Sequence, residues 1–255
     1  MPASRGLSAS FFLLVSCLLA LSFWTQPAEA RQAEPADPAD DNPYGSGISA
    51  TILLTNSGFG LGGNYRYALS SGVSMLVELS IGAGKDEREV AFFDRFGRRD
   101  IPHKANYLLM VPVQIGLEKR VFRNDIEDNF RPYWQFSAGP TLGWEYPYFQ
   151  DCNGDGSYNR SADCNGDGEI ASGEGERTYD AIGALIKGSF RFGIGGTLAL
   201  GAHFGRSQKL TQGVRIGYTF TYFLKDGIQL LEPSIQEAQH GFGTPTISVF
   251  FGRLF

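Results

Sequence analysis

Tyr133-Trp134-Gln135-Phe136-Ser137-Ala138-Gly139-Pro140-Thr141-Leu142-Gly143-Trp144-Glu145-Tyr146 is the stretch that decides the fold. Its even positions (Trp134, Phe136, Ala138, Pro140, Leu142, Trp144, Tyr146) are apolar, and its odd positions are mostly small or polar. A period of two is that of a β-strand, whose successive side chains point to opposite faces. The pattern recurs outward along the chain. Tyr107, Leu109, Val111, Val113, Ile115 and Leu117 alternate with Leu108, Met110, Pro112, Gln114, Gly116 and Glu118. Val73, Met75, Val77, Leu79 and Ile81 alternate with Ser74, Leu76, Glu78, Ser80 and Gly82. Phe59, Leu61, Gly63, Tyr65, Tyr67 and Leu69 alternate with Gly60, Gly62, Asn64, Arg66 and Ala68. In each run the second face is too rich in glycine and too poor in charge for a solvated exterior. It suits a narrow barrel interior, with the large residues turned out to hydrocarbon.

Gly193-Ile194-Gly195-Gly196 has the composition of a turn, but parity argues against one. Ile182, Ala184, Ile186, Phe190, Phe192, Ile194, Leu198, Leu200, Ala202 and Phe204 keep one phase, which a turn usually resets. Phe192-Gly193-Ile194-Gly195-Gly196 also echoes Phe59-Gly60-Leu61-Gly62-Gly63, which sits inside an alternating run. Residues 180–206 therefore read as one strand with glycines facing a crowded interior. The expected fold is all-β: an eight-stranded antiparallel transmembrane β-barrel, with strands at 47–56, 58–69, 72–83, 105–118, 131–148, 180–206, 212–224 and 243–255. An even number of strands returns both chain ends to one side. Links at 70–71, 119–130 and 207–211 are then periplasmic. Links at 84–104, 149–179 and 225–242 are extracellular and longer, and Asn56-Ser57 is a short exception.

Residues 1–30 read as a secretory signal. Arg5 supplies the positive start, Phe11 to Phe23 is apolar apart from Ser16, Cys17 and Ser22, and Ala28-Glu29-Ala30 is a small-residue cleavage site. The apolar run is shorter than the ~20 residues of a membrane helix. A lipobox at Leu14-Val15-Ser16-Cys17 fits less well, because Leu18 to Leu21 remain apolar. Residues 31–46, rich in Pro, Ala and Asp, read as a disordered periplasmic tail. Residues 47–255 form the barrel, with an insertion at about 149–179. The formal net charge of −5 offers no basic face to phosphates and argues against nucleic acid as a partner.

The chain resembles small outer-membrane β-barrel proteins over about 47–255. The resemblance rests on the alternation, the aromatic positions and the ending Thr246-Ile247-Ser248-Val249-Phe250-Phe251-Gly252-Arg253-Leu254-Phe255. Such proteins end in Phe preceded by alternating apolar residues. Here Phe255, Phe251, Val249 and Ile247 match, and Arg253 departs. The resemblance implies the outer membrane of a Gram-negative bacterium, with outer-membrane lipid and the barrel assembly machinery as partners. It names no surface ligand.

Asp163-Cys164-Asn165-Gly166-Asp167-Gly168-Glu169-Ile170-Ala171-Ser172-Gly173-Glu174 satisfies the D-x-[DN]-x-[DN]-G-x5-E pattern of a calcium loop. Calcium is a hard cation that takes six to eight oxygens. Asp163, Asn165 and Asp167 offer side-chain oxygens, Glu169 its backbone carbonyl, and Glu174 a closing carboxylate. A partial copy, Asp151-Cys152-Asn153-Gly154-Asp155-Gly156, offers Asp151, Asn153 and Asp155 but has Ala162 at its twelfth position. The repeat resembles the calcium loops of EF-hands and thrombospondin type 3 repeats. Cys152 and Cys164 hold the second place in each copy. In an exported chain that loses Cys17 with its leader, they are expected to pair.

Arg66, Glu78, Glu118, Glu145, Lys187, Arg191, His203 and Arg215 fall on the inward face. A network of ion pairs filling the lumen is the expected arrangement. Nothing in the spacing assembles a nucleophile, base and orienter, so the expectation is a non-enzymatic barrel with a structural or surface-binding role. A membrane-embedded hydrolase or acyltransferase and a soluble lipocalin-like binding barrel are the alternatives. A Ser–His–carboxylate contact near the outer rim would favour the hydrolase.

Overall fold

The computed structural model describes residues 45–255 apart from 71, 87, 91, 94–98, 123–124, 127, 160–161, 168–174, 206–208 and 226. The leader at 1–30 and all of the 31–46 tail except Gly45 and Ser46 lie outside the described residues.

The strands are β1 (Gly47–Thr55), β2 (Gly58–Ser70), β3 (Val73–Gly84), β4 (Phe92–Phe93), β5 (Arg99–Asp100), β6 (Asn106–Arg120), β7 (Phe130–Pro147), β8 (Ser189–Phe204), β9 (Leu210–Phe223) and β10 (Gly241–Leu254). Eight of them close into one barrel in the order β1-β10-β9-β8-β7-β6-β3-β2, and β4 and β5 pair by themselves within the link 85–105. Every neighbouring pair is antiparallel, and the first and last strands close the ring from Gly47–Leu254 to Thr55–Thr246. Closure leaves no strand edge, so the backbone N–H and C=O groups of the wall find partners within it.

Register follows the alternation. Trp134 faces Leu200, Phe136 faces Leu198 and Trp144 faces Phe190 on the outer surface. On the inner surface Tyr133 faces Gly201 and Gln135 faces Ala199. A one-residue slip would turn every one of these side chains to the other face. Glycines mark where a neighbour's bulk enters the lumen. A Cβ on Gly201 would lie 2.5 Å from the Tyr133 ring, and one on Gly213 would lie 2.4 Å from the Phe250 ring. The outer surface is apolar and open, with Phe59 75% and Leu198 63% exposed, whereas the inward Ser137 is 0% exposed.

Three sequence expectations shift. Gly193–Gly196 lies inside β8 as expected, but the strand begins at Ser189. The residues assigned to its start form α1 (Ala181–Ile186), capped by the Asp180 side chain at Gly183 N. Ile182 and Ile186 satisfy both a strand phase and the i, i+4 spacing of a helix, so parity could not separate the two. Lys187, expected inside the lumen, is consequently an exposed helix-end residue whose Nζ donates to Tyr179 Oη at 2.6 Å. Ser46, at the end of the expected tail, is anchored: its carbonyl accepts from Phe255 N and its hydroxyl from Ala68 N.

Prolines leave a local mark. Pairing between β3 and β6 passes from Leu79–Val113 to Gly82–Met110, omitting the positions opposite Val111 and Pro112. Pairing between β6 and β7 passes from Pro112–Thr141 to Ile115–Ala138, omitting those at Gly139 and Pro140. Proline has no N–H to give a ladder.

Candidate functional site

Three long links gather at the end of the barrel away from the termini. The link 224–240 turns Ile228 and Leu230 inward, where they pack with Leu108, Phe223 and Phe242, flanked by Met110. Leu230 O accepts from Ala105 N and Asn106 N, and Asn106 Nδ2 donates to Gln229 O at 2.6 Å. Gln229 N in turn donates to Glu145 Oε1 at 2.9 Å, tying the link to β7. Glu232 joins all three links: it faces His103 Nδ1 at 2.8 Å and accepts from Tyr158 N at 3.0 Å. Beneath them Lys104 Nζ meets Glu89 Oε1 at 2.5 Å in a buried ion pair. Among the described residues, apolar burial and paired charge together make this a folded cap.

The acidic repeat sits on this cap. In the first copy, Asp151 accepts from Gly154 N and Gly156 N, and Asn153 Oδ1 accepts from Asp155 N. The second copy repeats the turn: Asp163 accepts from Gly166 N and Asn165 Oδ1 from Asp167 N. Gly154, Gly156 and Gly166 have φ of 76°, 72° and 74°, a region that favours glycine. Cys152 and Cys164 form a disulfide that holds the copies side by side. Of the sequence-predicted ligands, Asp151, Asn153, Asp155, Asp163, Asn165 and Asp167 are thus placed in two matching turns. Glu169 and Glu174 lie outside the described residues.

Sequence reasoning missed Glu176. Its carboxylate is buried, accepting from Cys152 N at 3.2 Å and Asn159 N at 2.8 Å. One oxygen each of Asp151, Asp155 and Glu176 lie within 4.8 Å of one another. The first copy, which has Ala162 where a closing carboxylate belongs, meets Glu176 from further along the chain. The signal was the incomplete copy itself, which called for an acid from elsewhere. Three carboxylates gathered in this way offer hard oxygens, a donor type suited to a hard cation and not to a soft metal.

The lumen carries two charged layers. Nearer the termini, Glu118 Oε1 lies 3.0 Å from His203 Nε2 and 3.5 Å from Arg66 Nη1, and Arg66 Nη1 lies 3.2 Å from His203. One layer up, Arg215 Nη1 meets Glu78 Oε1 at 2.5 Å and Gln135 Oε1 at 2.6 Å, and Ser137 Oγ donates to Glu78. Glu145 pairs with Arg191 at 2.9 Å near the cap. These are the ion pairs expected from the inward charges, Lys187 excepted.

His203 Nδ1 also faces Thr211 Oγ1 at 3.0 Å, so Thr211, His203 and Glu118 stand in line as nucleophile, base and orienter would. A small pocket of about 20 Å³ lies beside them, enough for a water. The other two histidines face Glu232 and the carbonyl of Phe223. Above the Glu78–Arg215 layer lies a partly open chamber of about 100 Å³ that reaches Met110 and Phe242 under the cap. Threonines 51, 197, 219 and 244 line it, and Gly60, Gly62 and Gly82 leave it open.

The fold and the filled lumen define a small closed antiparallel barrel of eight strands with a folded cap. No family model matches the sequence, and no curated protein matches it. Among solved structures, Neisserial surface protein A aligns with 82% of this chain and 94% of its own length, at 11% identity and a TM-score of 0.39. The outer membrane protein OprG from Pseudomonas aeruginosa aligns over 84% and 98%, at 11% identity and a TM-score of 0.34. Ail, the attachment invasion locus protein of Yersinia pestis, aligns over 82% and 95%, at 11% identity and a TM-score of 0.32.

Proposed function

We propose that the chain is a non-enzymatic outer-membrane barrel whose extracellular cap is held by calcium, serving the cell surface structurally or by binding. The inverted surface carries this reading: bulky apolar side chains line the outside and a polar, paired lumen lies within. That arrangement belongs to a barrel in hydrocarbon. A soluble binding barrel would hide the same residues around a ligand. A barrel of eight strands filled by its own side chains also disfavours an open diffusion pore.

Calcium would be held by Asp151, Asn153, Asp155 and Glu176 in the first copy. In the second, Asp163, Asn165 and Asp167 would act with Glu169 and Glu174. The ion would neutralise the acids that the disulfide brings together. The C-terminal Phe255, with Phe251, Val249 and Ile247, supports recognition by barrel assembly machinery. The test is membrane fractionation with heat-modifiable gel mobility, run with calcium and with a chelator. The expected result is detergent-dependent extraction, a mobility shift on boiling, and a cap that chelation opens to protease. Recovery in the soluble fraction without detergent would overturn the membrane reading.

A further inference from the structure

We propose that α1 is an interfacial anchor that seats in the outer leaflet of the bilayer around the barrel; this rests on the membrane reading above. Ile182, Leu185 and Ile186 lie on one helix face at i, i+3 and i+4 and are 71%, 40% and 77% exposed. Ala184, on the opposite side, is 3% exposed. Ile228 and Leu230 of the link 224–240 turn into the cap, but Ile182, Leu185 and Ile186 of α1 turn out.

The exposed face continues the outer wall. Trp144 Nε1 donates to Leu185 O at 3.1 Å, and the Trp144 ring packs edge-on against Phe190 at 3.9 Å. Phe190, Phe192 and Ile194 then carry the apolar stripe down β8. Gly188 makes the close approach possible: a Cβ there would lie 2.5 Å from the Trp144 indole. The helix is thereby fixed at the level of Trp144, beside β8's first outward residue.

Its flanks are those of an interface. Asp180 caps one end, and at the other Lys187 Nζ reaches the Tyr179 hydroxyl and lies 4.6 Å from that ring's centroid. Trp and Tyr rings favour the headgroup level, and long cationic side chains reach from apolar surface back to water. A six-residue helix is too short to hold itself in lipid, but here both ends are fixed by the barrel.

The test uses nitroxide labels on single cysteines in a Cys17→Ser background, with the disulfide intact, in phosphatidylcholine vesicles. Ile182→Cys and Ile186→Cys are compared with Leu198→Cys on the outer wall and Glu237→Cys on the cap. The expected result is a ratio of oxygen to nickel-chelate collisions at 182 and 186 several-fold above that at 237 and close to that at 198. Ratios matching 237 while 198 stays lipid-like would overturn the anchor and leave the membrane reading standing. A water-like ratio at 198 as well would overturn both.

Discussion

Arg215 and Glu78 meet at 2.5 Å across the middle of the barrel, from strands that stand opposite one another in the ring. The pair acts as a crossbar, and Gln135 and Ser137 complete its hydrogen bonds. Removing one partner strands a charge in the lumen. Arg215→Met is expected to cost about 3–5 kcal/mol of stability, read from urea unfolding midpoints in lipid vesicles. Combining it with Glu78→Gln should recover most of the loss. A double variant no better than the single one would mean that the pairing is not the source.

Crowding around the crossbar gives a second prediction. Gly201 faces Tyr133 across β7–β8, where a Cβ already meets the ring. Gly201→Leu should destabilise the barrel by about 1–3 kcal/mol, as overpacking does. Adding Tyr133→Ala should restore part of that by making room. If Gly201→Leu folds with an unchanged unfolding midpoint, the lumen is looser than its contacts imply.

On the cap, the closing acid of the first loop is the discriminating residue. Glu176→Gln should weaken calcium binding at least tenfold, about 1.4 kcal/mol, in calorimetric titration of the folded protein. Asp163→Asn should instead reduce binding at the second loop and leave the first step of the titration in place. Equal effects from both would show one shared site rather than two.

The disulfide should matter locally. Cys152→Ser with Cys164→Ser frees a loop whose ends are 12 residues apart, worth about 3 kcal/mol of chain entropy. Protease should cut the insertion faster. The unfolding midpoint of the barrel should not move, because strand pairing closes the ring without this loop. A lowered midpoint would mean that cap and wall unfold together.

The wall was legible in the sequence because alternation and register are the same signal. Once Trp134, Phe136 and Trp144 share a face, their partners Leu200, Leu198 and Phe190 must share it too. The strand at 193–196 was recoverable from phase alone. The helix was not, because Ile182 and Ile186 fit two periods at once, and only the Asp180 cap and Gly188 mark its ends. The acidic turns were written in a local motif, but the third acid of the first was not. Glu176 comes to Asp151 through a backbone path of loops, and such a path leaves no periodic trace. The cap was illegible for the same reason: Leu230 over Leu108 is a contact of shape, not spacing.

Pro112 and Pro140 give the cylinder a seam. The ladders on either side of Val111 to Gln114 are interrupted, whereas the junction of first and last strands is laddered from Gly47 to Thr55 without a gap. Deuterium should therefore enter at whichever of Ser80 and Ile81 turns its N–H toward β6, the other being held by β2, before it enters at Ile52 or Val249. The join that the chain must make last is then the tight one, and any breathing of the cylinder starts beside the threonine chamber instead of between the two ends.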